Sequence, residues 1–109
     1  MDAGRLNKRV RIERQAITRD EFGGEVVVWT LLAEVWAVIE PLSGRELIAA
    51  QAAQSQASVR VTVRHRAGVD ATMRIVHKTH VFELTAPPID VKGAGKWLEL
   101  MCKEVNGAS

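Results

Sequence analysis

Three histidines, one cysteine and a cluster of acids are the residues of this chain best suited to chemistry. Neutral imidazole is a common metal ligand, and His77 and His80 are close enough in sequence to meet across a hairpin. Neither they nor His65 fall at a zinc or catalytic spacing, and no cysteine or paired carboxylate stands beside them. They are expected at exposed strand ends, with no metal site. A nucleophilic cysteine needs an electropositive, accessible setting, whereas Cys102 shares the parity of Leu98 and Leu100 and should be a buried, inert thiol. Asp20, Glu21 and Glu25 could bind a cation or exchange protons, but around Gly23-Gly24 they read as solvated loop carboxylates. Gly93-Ala94-Gly95-Lys96 has phosphate-loop residues without the strand, helix and spacing that aim backbone donors at a phosphate, and is expected to be a turn. No nucleophile–base or paired-carboxylate constellation emerges, so neither catalysis nor a cofactor is expected.

Composition narrows the elements that could position such residues. The 109 residues fit one domain, 1–109, whose small core leaves oligomerisation as a natural source of further stability. Fifteen Lys+Arg against thirteen Asp+Glu give a net charge of +2, too little to point to nucleic acid by itself. A lone cysteine excludes an internal disulfide and fits folding in a reducing cytoplasm. The start, Met1 to Arg9, lacks the apolar core of a signal peptide, so no export is expected. The stretch Val26 to Ile39 is interrupted by Thr30 and Glu34 and is shorter than the roughly 20 residues of a membrane helix, so no membrane partner is expected.

Period-2 alternation dominates the chain. Lys8 to Arg14 places Val10 and Ile12 on one face and Arg9, Arg11 and Glu13 on the other. Gly23-Gly24 permits a tight reversal into Val26–Trp29 and Ala33–Ile39, read as one long bent strand or two short ones ending at Pro41. The clearest strand runs from Ala57 to Arg66, with Val59, Val61 and Val63 inward and Arg60, Thr62, Arg64 and Arg66 outward. Met73–His77 and Val81–Thr85 form a second hairpin around Lys78-Thr79-His80. Trp97–Glu104 is the closing strand, and residues 106–109 should be frayed. Six to seven short strands predict a small antiparallel β-barrel or compact sandwich, because closure hides strand edges.

A single helix, at about 43–54, interrupts the β pattern. Ser43 and Glu46 form a capping box, flanked by Leu42 and Leu47 as a hydrophobic staple, and Ala49, Ala50, Ala52 and Ala53 extend it. An alanine face buries little, so a capped but weakly hydrophobic helix has reason to dock on a neighbouring subunit or ring. Ser43, Arg45, Glu46, Ala50 and Ala53 are therefore candidate interface residues. Arg60, Arg64 and Arg66, with Arg9 and Arg11 nearby, form an outward row that could face DNA, an acidic partner or solvent. Trp29, Trp36 and Trp97 are read mainly as core anchors, Trp36 first among them.

The order of these motifs resembles the phage head-tail joining family, also called head-closure or head-tail adaptor proteins. The residues that carry it are Ala3-Gly4-Arg5-Leu6 with Arg9-Val10, Phe22-Gly23-Gly24 followed by Trp29, and Val35-Trp36-Ala37 leading to Pro41-Leu42-Ser43-Gly44-Arg45-Glu46. The Ala/Gln helix, Val61-Thr62-Val63-Arg64 and Trp97-Leu98-Glu99-Leu100 with Cys102 complete it. One departure is Lys78-Thr79-His80-Val81-Phe82, where such proteins often have Gly followed by Tyr. The resemblance implies a β-barrel subunit of the virion, made in the host cytoplasm, that self-associates into a ring. That ring would meet a portal or adaptor protein on the head side and a tail-completion or tail-tube protein on the tail side. It would retain packaged DNA, with room for non-specific contact to it, and dock the tail. The rival reading is a small basic β-barrel that binds nucleic acid, which calls for stacking aromatics in a basic groove. Steep salt dependence of DNA binding would favour the rival, and ring formation the connector.

Overall fold

The alternating segments pair in an order that closes on itself. The computed structural model describes residues 5–105, in which seven strands surround one apolar interior. They are β1 (Lys8–Arg19), β2 (Glu25–Pro41), β3 (Val59–Arg64), β4 (Arg74–His77), β5 (His80–Leu84), β6 (Ile89–Asp90) and β7 (Trp97–Val105), with helix α1 (Gly44–Ala52) between β2 and β3. The sheet order β3-β2-β1-β4-β5-β7 is closed by pairing of β3 with β7, giving a six-stranded antiparallel barrel, and β6 adds to β7 beside β5. Closure removes the free edges that a small open sheet would expose.

Val10, Ile12, Val61, Val63, Ile75, Leu100 and Cys102 are each at most 1% exposed and form the centre of the core, joined by Ala37, Phe82, Leu84 and Leu98. Two residues depart from the placement expected of them. Trp36 is 51% exposed, because the core side of β2 belongs to Val35 and Ala37, which pair with Val10 and Lys8. Thr62 has outward parity yet is buried. It lies between Val38 and Glu99 across the sheet, with Arg60 and Arg64 on either side along the strand.

β1 and β2 are 12 and 17 residues long, far longer than their neighbours. β4 accompanies β1 only from Arg11 to Glu13, so Arg14–Arg19 and Glu25–Thr30 continue as a two-stranded arm beyond the barrel. Leu32 is the extra residue of a bulge at that point, since Ile12 pairs with Ala33 and Glu13 with Leu31. Bulges bend and twist a strand, and this one sits where the arm leaves the barrel. The strand directions place the arm and α1 at opposite ends of the barrel, with the molecule extending 49 × 30 × 26 Å.

Ser43 caps α1 as its sequence predicts: Ser43 Oγ accepts from Glu46 N–H, and Glu46 Oε1 accepts from Ser43 N–H. At the other end Gln54 takes φ 60, Ser55 N–H donates to Ala50 O and Gln54 N–H to Gln51 O, a Schellman stop. The helix is thus nine residues long, shorter than the 43–54 expected. The expected fraying at 106–109 lies outside the described residues, and no described helix is long and apolar enough to cross a membrane.

Candidate functional site

An unsupported two-stranded ribbon is at best marginally stable in water, so something must hold the arm at its base. Glu13 does this from the last position that β4 reaches. Arg74, its register partner on β4, donates from Nε to Glu13 Oε1 at 2.8 Å, and Arg11 Nε donates to Oε2 at 3.3 Å. The Arg74 guanidinium also lies 4.3 Å from the centre of the Trp29 ring on the other arm strand. The Glu13 and Arg74 side chains are only 13% and 19% exposed, which limits screening of their charges. Arg74→Ala would leave Glu13 half-buried without its main partner and Trp29 without its cation. It is expected to lower stability by about 2–3 kcal/mol in urea unfolding and to speed amide exchange in the arm before the barrel.

The arm's tip is a built turn. Asp20 Oδ1 accepts from the N–H groups of Phe22 and Gly24 at 2.9 and 2.8 Å, and Asp20 N–H donates to Gly24 O. Gly23 has φ +80, and Arg19 Nη1 donates to its carbonyl. Asp20 therefore organises the loop, while Glu21 and Glu25 have no ion-pair partner among the described residues. Phe22, at the point, is 89% exposed, and Ile17, Val27 and Leu31 along one face are each more than half exposed.

At the opposite end no residue of α1 is buried, and Ile48 is 68% exposed. Glu46 ties the helix to the barrel through Arg60, whose Nε also lies 3.9 Å from Glu99. Of the expected interface residues, Ser43 and Glu46 are engaged in the cap, Arg45 and Ala53 face solvent, and Ala50 is half-buried. The arginine row does not form one open strip: Arg60 bridges helix and barrel, Arg64 stacks 5.3 Å from the Trp97 ring, and Arg66 stands alone in the following loop. Arg9 lies 5.2 Å from the Trp36 ring and pairs with Glu34, so each tryptophan carries one arginine. Beside Trp36, Leu6, Asn7 and Arg64 line an open recess of about 410 Å³ on the barrel wall.

The remaining candidates are dispersed. His77 and His80 face each other at the end of the second hairpin, but His77 Nδ1 lies against Arg9 O, at 3.2 Å, and His80 Nδ1 against Glu104, at 2.8 Å. His65 is separate from both, and among the described residues no three metal-capable side chains gather. With Lys8, Ile39, Val59 and Phe82 the two histidines line a shallow recess at the helix end of the barrel. In the glycine turn, Asp90 Oδ1 accepts from Gly95 N–H at 3.0 Å, which closes the loop on itself. Cys102 is wholly buried, and desolvation pushes its thiol up to about 12. Sequence reasoning missed the apolar face of the arm and the Trp36 recess. The available signal was strand length: two strands this long cannot both be covered by neighbours of four to six residues.

Comparison with known proteins agrees with this architecture. A family model described as phage head completion protein matches residues 1–105. The head completion protein gp7 of Enterobacteria phage HK97 is 33% identical over 108 residues, covering 94% of this chain and 96% of that protein. Among solved structures, protein SF1141 from Shigella flexneri 2a superposes with a TM-score of 0.78 at 31% identity, over 95% of this chain and 96% of that one. A chain of the native gene transfer agent virion shares the fold, with a TM-score of 0.61 at 20% identity over 93% and 96% of the two chains.

Proposed function

Because the chain belongs to the phage head completion protein family, we propose that it is a structural subunit of a phage or prophage head–tail connector, working by assembly and not by catalysis. In this reading it forms a ring between the portal and the tail, closes the DNA-filled head and gives the tail a docking surface, in one domain spanning the chain. Its partners are a portal or adaptor protein on the head side and a tail-completion or tail-tube protein on the tail side.

The observation that carries the reading is the placement of two exposed appendages at opposite ends of a closed barrel. A subunit between two different rings needs separate surfaces facing each way. The arm and α1 supply them, each with apolar side chains turned outward over a scaffold that is complete without them. The arginines fit a nucleic-acid groove less well, because Arg9, Arg60, Arg64 and Arg74 are drawn into stacking or ion pairs within the chain.

The test is a virion lacking this chain. Heads are expected to package DNA, lose it and remain unjoined to tails, and supplying the protein in trans should restore infectious particles. Particles that retain DNA and carry tails without it would refute the connector reading.

A further inference from the structure

We infer that the β1–β2 arm of one subunit docks its tip into the Trp36 recess of a second copy of this chain, so that the ring closes by head-to-tail contacts. The inference rests on the connector reading and specifies how the subunits join.

Both halves of the contact lie on this one chain, and they are complementary. The tip presents Phe22, 89% exposed, with Glu21 and Glu25 beside it and without ion-pair partners among the described residues. The recess presents Trp36, 51% exposed, with Leu6 as an apolar wall, Arg64 at its rim and the Arg9–Glu34 pair beside it. A phenyl ring against Trp36 and Leu6, with a carboxylate meeting the Arg64 guanidinium, pairs apolar surface with apolar and acid with base. Stacking on Trp97 leaves the edge of the Arg64 guanidinium available as a donor, and Arg64 has no ion-pair partner among the described residues, whereas Arg9 Nε is held by Glu34.

Geometry makes the contact intermolecular. Glu25 and Trp36 lie on the same strand, and at roughly 3.3 Å per residue about 35 Å separates them, so a tip cannot reach its own recess. Two different patches that meet between copies form a heterologous interface, the kind that generates rings when the rotation closes. The tip is also organised before docking: Asp20 and Arg19 hold the loop that projects Phe22, which reduces the ordering cost of binding.

The test uses assembled particles carrying Glu21→Cys and Asn7→Cys in the full chain, which put one thiol beside Phe22 and one on the recess wall. Mild oxidation is expected to yield a ladder of multimers of this chain on a non-reducing gel. Either single-cysteine variant should yield none, since Cys102 is buried. Adding Phe22→Ala should weaken the contact about a hundredfold and erase the ladder while the thermal midpoint stays put, since Phe22 is 89% exposed. Intact rings that give no ladder, or a link from position 21 to another protein, overturn the inference and leave the connector reading standing. Absence of any ring of this chain in the particle overturns both.

Discussion

Glutamate at Ile48, or at Ala53, is expected to leave the barrel folded and abolish joining of heads to tails. Ile48 is 68% exposed, and Ala53, at the C-cap of α1, is exposed as well, so neither change removes a contact that folds the domain. A docked helix would respond differently. Covering Ile48 with a partner contributes about 1.5–3 kcal/mol, and a carboxylate in its place adds the cost of burying an unpaired charge. The combined loss of about 4 kcal/mol per contact weakens it about a thousandfold, and the loss recurs at every subunit of a ring. The measurement is infectivity and tail attachment, read beside the circular dichroism of the isolated chain. Full infectivity with a folded variant would remove α1 from the interface. Ala50 is a poorer place for the test: it is half-buried, and its carbonyl accepts the bond that stops the helix, so a large side chain there also disturbs the cap.

That helix was the most readable part of the candidate surface, for a local reason. A capping box uses residues three apart, and Ser43 and Glu46 bond in the way their spacing predicts. The inward faces of the strands were readable for another local reason, since Val10, Ile12, Val61, Val63, Leu98 and Leu100 alternate with polar residues and all fall inside, although that pattern fits a barrel or a sandwich alike. Trp36 shows where local reasoning stops. Its size suggested the core, but Leu32 bulges out of register, and the face of each β2 residue follows from pairing with β1 and β3. Thr62 is buried although its parity is outward. The arm was illegible for a related reason. Ile17, Val27 and Leu31 share the outward face of Glu13, and an apolar residue on that face looks in sequence like one that another element covers.

The second large effect concerns the core itself and appears at alkaline pH. Cys102 sits between Val59 of β3 and Leu84 of β5, with its Sγ directed at Leu100 O, and desolvation pushes the thiol from its ordinary 9.0 up to about 12. Below about pH 9 the thiol is neutral in both folded and unfolded chains, and its contribution to stability is fully present. Between pH 9 and about 12 the unfolded chain releases the proton while the folded chain keeps it, so stability falls as pH rises. At about 1.4 kcal/mol per pH unit the loss approaches about 4 kcal/mol, a large fraction of the stability of a small domain. The chain has no tyrosine, so no phenol titrates over the same range. Cys102→Ala should behave in the opposite way: about 1 kcal/mol less stable at pH 7 for the small void, but with a much flatter profile above pH 9. Urea unfolding of both proteins at pH 7, 9 and 11 separates the two effects. Equal alkaline losses would mean that the thiol is not the group responsible. Profiles that diverge above pH 9, beyond their offset at pH 7, would show that the barrel wall around Cys102 stays dry until the domain opens.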